Sequence, residues 1–94
     1  MLVRKKPIIV EAWEINPDDM DKPDFVLNAI QRGKIKWVDG VFTINTLEGR
    51  MQANDGDYLI RGVRGELYAC RRSIFNETYE KHIENFAQIL REVS

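Results

Sequence analysis

The sequence predicts an α+β domain. Its expected core is a curled antiparallel sheet, a small roll or half-open barrel of about five to six strands. One short helix follows the first strand, and another lies near the C-terminal end. Three observations predict this. Apolar residues alternate with a period of two through most of the chain. Short reversals separate those stretches at Asp39-Gly40, Glu48-Gly49, Asn54-Asp55-Gly56-Asp57 and Arg64-Gly65. Two other stretches repeat at helical spacing instead.

From about Lys6 to Ile15 the pattern is that of a strand. Ile8, Val10 and Ala12 point one way, and Ile9, Glu11, Trp13 and Ile15 the other. Bulk on both faces predicts a central strand, covered on both sides. Pro7 has no N–H to give and belongs at the strand's beginning. Asn16 to Asp21 is a loop by composition. Pro23 and Asp24 suit the first turn of a helix, Phe25, Val26, Ala29 and Ile30 give its apolar stripe, and Gly33 its stop. A helix of about ten residues does not hold alone in water, so it must lie on the sheet.

Ile35–Val38 and Val41–Leu47 are expected to pair across Asp39-Gly40, and Arg50–Ala53 to follow Glu48-Gly49. Gly56 to Glu80 organises the rest: turn, strand Tyr58–Val63, reversal at Arg64-Gly65, strand Glu66–Arg71, helix start. Leu59, Val63, Leu67 and Ala69 supply its apolar face, and Ser73 sits where an N-cap belongs. A last amphipathic helix is expected from Ile74 to about Val93, with a possible break near His82.

The 94 residues are read as one domain, with roughly 60–65% of the unfolded surface buried. The hydrophobic share of 44% and charged share of 31% are those of an ordinary globular chain, so disorder is not indicated. A net charge of −1 argues against a protein that blankets nucleic acid. The single Cys70 allows no internal disulfide, and no Cys/His spacing suits zinc. No apolar run reaches membrane-spanning length, and Glu11 breaks the run behind Arg4-Lys5-Lys6 too early for a signal peptide. A cytoplasmic protein without cofactor or metal is expected.

Two segments resemble a family of small proteins carried by bacteriophages and prophages. They are Arg4-Lys5-Lys6-Pro7-Ile8-Ile9-Val10-Glu11-Ala12 and the stretch from Gly56-Asp57-Tyr58 through Thr78-Tyr79-Glu80. The family's pattern opens "RKKPxxVEA" and closes "PGDYxIRGVxGExYxCxPDIFxxTYE". The middle, Asn16 to Ala53, matches only in layout. Asp55 replaces the family's proline, Arg72-Ser73 replaces its Pro-Asp, and Lys81 to Ser94 extend beyond its usual end. The family carries no assigned activity, so the resemblance implies phage or prophage origin, and a host-cell location with it.

The residues that carry charge or chemistry each have a plainer reading. Asp55, Asp57 and Glu66 are better read as turn acceptors than as an acid/base pair. His82 has no partner nucleophile at an arguable spacing. Cys70, beside Arg71, is better read as a small apolar filler than as a reactive thiol. No catalytic residue is assigned, and no enzyme is expected. Trp13, Phe25, Trp37 and Phe42 are core candidates.

Arg61, Arg64, Arg71 and Arg72 form the most informative cluster. Close guanidinium groups repel unless carboxylates or an anion lie between them. Asp57, Glu66 and Glu77 give the structural answer. A phosphate site gives the functional one, with Tyr58 and Tyr68 on adjacent strands to stack a base. The stripe Ile83, Phe86, Leu90 and Val93 either closes over the sheet or pairs with a second chain as a homodimer. The expected function is therefore a non-catalytic binding or interaction module, oligomeric, acting on a host or phage protein. The alternative binds a phosphorylated small molecule or nucleic acid through the arginines, a host-defence nucleotide signal among the candidates.

Overall fold

A computed structural model describes residues 1–3, 8–46 and 48–80. The α+β class and the antiparallel pairing are as expected. The strands group into two three-stranded sheets and not into one curled roll, and neither sheet closes into a barrel. One sheet has the order β1-β5-β6, from Glu11–Glu14, Tyr58–Arg61 and Leu67–Cys70. The other is the meander β2-β3-β4, from Ile35–Val38, Val41–Thr46 and Gly49–Ala53. Helix α1 spans Asp24–Gln31 and helix α2 Arg72–Thr78.

The two sheets face each other, with β6 against β3 and β4. Between them lies the core. Trp13, Ile15 and Leu59 enter from one side, Ile35, Phe42 and Ile44 from the other, and Val26 and Ala29 from α1. Trp37 stands edge-on to Phe42 with ring centroids 5.1 Å apart. Trp37 and Phe25 pack on this core half-buried.

The strand buried on both faces is β5, not β1. Adjacent Leu59 and Ile60 both have 0% exposure, which a strand allows only when each face is covered. β1 is an edge strand, and Ile8 and Ile9 ahead of it are exposed. The expectation erred because bulk on both faces of a sequence stretch does not require neighbours on both sides. Leu59 faces the core. Ile60 shares the other face with its register partner Tyr68 and with Tyr58 and Cys70. Helix α2 lies over that face: Phe75 stacks on Tyr58 at 3.7 Å and on Tyr79 at 5.1 Å. The Tyr68 and Tyr79 hydroxyls meet at 3.2 Å.

Three local expectations change. The β5–β6 reversal is a turn over Gly62–Gly65, not a two-residue Arg64-Gly65 loop. The Gly65 N–H donates to the Gly62 carbonyl at 3.0 Å, and the Gly62 N–H to the Glu66 carbonyl at 2.8 Å. Gly65 has φ 82°, which favours glycine. Val63 is carried into this turn and is 66% exposed, so it leaves the apolar face. Ser73 is the second residue of α2 and does not cap it. The N-cap is Arg71, with no side-chain bond of its own. The carboxylate of Asp57 acts instead, accepting from the Arg72 N–H at 3.1 Å and from the Asn54 N–H at 3.2 Å. Finally, α2 stops at Thr78, and Tyr79 is extended (φ −113°, ψ 150°), so one continuous helix from Ile74 to Val93 is not formed. His82 and the stripe Ile83, Phe86, Leu90 and Val93 lie outside the described residues.

No helix among the described residues is long and apolar enough to cross a membrane.

Candidate functional site

The site is a groove of about 580 Å³ between α1 and the turn end of the β5–β6 ribbon. Helical spacing builds one wall. Asp24, Asn28 and Arg32 recur every four residues and so share one face of α1. Phe25 and Ala29 lie beside them. The opposite wall is Glu11 on β1, Arg61 on β5 and Leu67 on β6. Lys34 and Arg64 complete the rim.

Both cationic rims are held by backbone bonds. Helix α1 ends in a closure that satisfies its last carbonyls: the Lys34 N–H reaches Ala29 at 2.9 Å and the Gly33 N–H reaches Ile30 at 3.0 Å. Gly33, at φ 71°, makes that reversal. Asn45 then pins the loop, its N–H on the Lys34 carbonyl at 2.8 Å and its Nδ2 on the Gly33 carbonyl at 3.2 Å. Across the groove, the Glu66 carboxylate accepts the Arg64 N–H at 2.9 Å inside the turn. Arg61 is fixed by Glu11, its cross-strand partner, with Nη1 3.1 Å from Oε1. Arg32, Lys34 and Arg64 make no ion pair among the described residues.

The four arginines of the sequence reading do not share one surface. Arg61 and Arg64 line the groove. Arg71 and Arg72 lie at the opposite end of the ribbon, where Tyr58 pairs with Cys70. Arg72 reaches Glu14 at 3.4 Å, and Arg71 is exposed at the start of α2. Tyr58 and Tyr68 are not in the groove. Their rings face α2, occupied by Phe75 and Tyr79. The Tyr68 hydroxyl is pushed up to about 12, first by burial and then by the Tyr79 hydroxyl. Burial also pushes the Cys70 thiol up, and the Asp57 carboxylate adds to it. Proximity to Arg71 therefore does not activate Cys70.

Sequence reasoning missed Arg32, Lys34, Glu11 and Asp24 as groove residues. The available signal was the pair of cations flanking Gly33, the predicted helix stop.

A second polar cluster is purely architectural. The Trp13 indole N–H donates to Asp19 at 2.8 Å, and Asp19 also accepts the Asp21 N–H at 2.9 Å. The indole bond, more than any other contact, holds the Asp19 carboxyl below its usual range. It ties the long loop after β1 to the core. Among the described residues, no group of three or more His, Cys, Asp or Glu side chains is placed to hold a metal ion.

These features define a class: a small α+β domain of two facing antiparallel sheets, with a cation-rimmed groove beside one of them. No protein-family model, curated protein or solved structure matches the chain.

Proposed function

We propose that the chain is a non-catalytic binding module and that the groove between α1 and the β5–β6 turn is its working surface. The supporting observation is convergence. Arg32 and Lys34 come from the end of α1, Arg61 and Arg64 from the late ribbon, and all four line one concavity. Like charges gathered without enough local carboxylate favour an anionic occupant. Among the described residues, the lining contains no Ser, Cys or His side chain, and Glu11 is engaged by Arg61, so the groove offers recognition more readily than bond-making. Phage or prophage origin, and action beside host machinery, belong to this proposal through the sequence resemblance. Assembly as a homodimer belongs to it through the apolar stripe from Ile83 to Val93.

The test is a thermal-shift panel of pyrophosphate, nucleotides and a hexaglutamate peptide. It compares the native chain with an Arg32→Glu/Arg64→Glu double variant. A probe at a hundred times its Kd stabilises by about 2.7 kcal/mol. That moves the Tm of a domain this size by roughly 10 °C or more. The proposal expects at least one anion to do so, and the double variant to lose the shift. A flat panel, or a shift that survives the double charge reversal, contradicts it.

A further inference from the structure

We infer that the groove takes a phosphorylated small molecule of about nucleotide size, its phosphate held by Arg32, Lys34 and Arg64. Arg61 lies beside them, paired with Glu11. This rests on the reading of the groove as the binding surface.

Size comes first. A volume of about 580 Å³ falls inside the roughly 300–1,000 Å³ range of small-molecule sites. Charge comes next. Among the described residues, four cations line the groove against two carboxylates, Glu11 and Asp24. The Arg61–Glu11 pair cancels one of each. Three cations then face Asp24 within the lining, and the Glu66 carboxylate lies beside them, turned onto the Arg64 N–H; the net positive lining that remains suits a phosphate anion. Chemistry narrows the anion further. A guanidinium fork matches phosphate oxygens, and an ammonium adds a point charge beside it.

The remaining lining suits the rest of such a ligand. Asn28 offers an amide, and Phe25 and Leu67 offer half-buried apolar surface. The backbones of Lys34 and Arg64 are already fixed by the α1 closure and by the Glu66-braced turn. Less ordering is therefore required on binding. The cations of the groove sit in one local concavity on a chain of net charge −1. A nucleic-acid backbone calls instead for an extended basic track.

The experiment is isothermal titration of pyrophosphate, adenosine triphosphate, adenosine and hexaglutamate into the full chain, with circular dichroism to confirm folding of each variant. Saturable binding of the two phosphate probes is expected, with adenosine weaker. Arg64→Ala, Arg32→Ala and Lys34→Ala should each weaken phosphate binding about tenfold, the scale of one lost charge-assisted contact. Arg64→Lys should recover part of the loss. Glu11→Gln and Asp24→Asn should each tighten binding, since each removes negative charge from the lining. Arg71→Ala, at the far end of the ribbon, should change nothing. Failure of both phosphate probes to bind overturns the inference. So does a loss in Arg71→Ala equal to that in Arg64→Ala. If hexaglutamate binds and the phosphates do not, this inference falls while the binding-module reading stands. If no probe binds, both fall.

Discussion

The two ends of the β5–β6 ribbon use the same residue type to opposite effect. At the helix end, Arg72 is spent on structure: Asp57 takes its backbone N–H and Glu14 its guanidinium. An aromatic stack of Tyr58, Phe75 and Tyr79 seals that end. At the turn end, Arg64 is held only through its backbone, and its side chain lines a groove already rimmed by Arg32 and Lys34. An arginine's role is set here by which carboxylates the topology delivers to it.

Substitutions at the two ends should therefore separate stability from binding. The largest stability effect is expected from Phe75→Ala. It removes the central ring of the Tyr58–Phe75–Tyr79 stack, at a cost of about 2–3 kcal/mol, since Phe75 is only half-buried. Urea unfolding measures it, and phosphate affinity of the folded fraction should not change. Asp57→Ala comes next. It strands two backbone N–H groups and should cost about 1–2 kcal/mol in the same assay. Gly65→Ala forces a side chain into a positive φ and should cost about 1 kcal/mol. This variant sharpens the contrast, because Arg64 moves with the turn and binding should weaken too.

The effect confined to alkaline conditions is one of pH. Tyr68 is raised from an ordinary 10.0 to about 12. Its neutral form is favoured by folding, so its contribution is fully present below about pH 10 and is lost as pH rises toward 12. Tyr68→Phe should flatten the stability profile over that window.

Much of the fold was legible in the sequence because its turns carry their own chemistry. Asp39-Gly40 places both residues at positive φ (51° and 79°) and sets the β2–β3 register that pairs Val38 with Val41. Of the predicted stripe Phe25, Val26, Ala29 and Ile30, Val26 and Ala29 form the buried face of α1, Phe25 is half-buried and Ile30 is exposed. Sheet partition was not legible, since alternation within a strand says nothing about which strands become neighbours. The site was half legible. Arg61 and Arg64 could be singled out, but Arg71 and Arg72 lie beyond the far end of β6, at the start of α2 and away from the groove. Arg32 and Lys34 reach it from the far side through tertiary packing that no local pattern encodes. Ser73 looked like a cap, yet Asp57, distant in sequence, performs that task.

The most direct test of the central claim is a titration of pyrophosphate into the isotopically labelled chain, followed by amide chemical shifts. The groove reading predicts saturable shifts concentrated at Arg32, Lys34, Arg61, Arg64 and Gly65, with Arg72–Thr78 unmoved. Shifts centred on Arg71 and Arg72, or none at saturating probe, would contradict it.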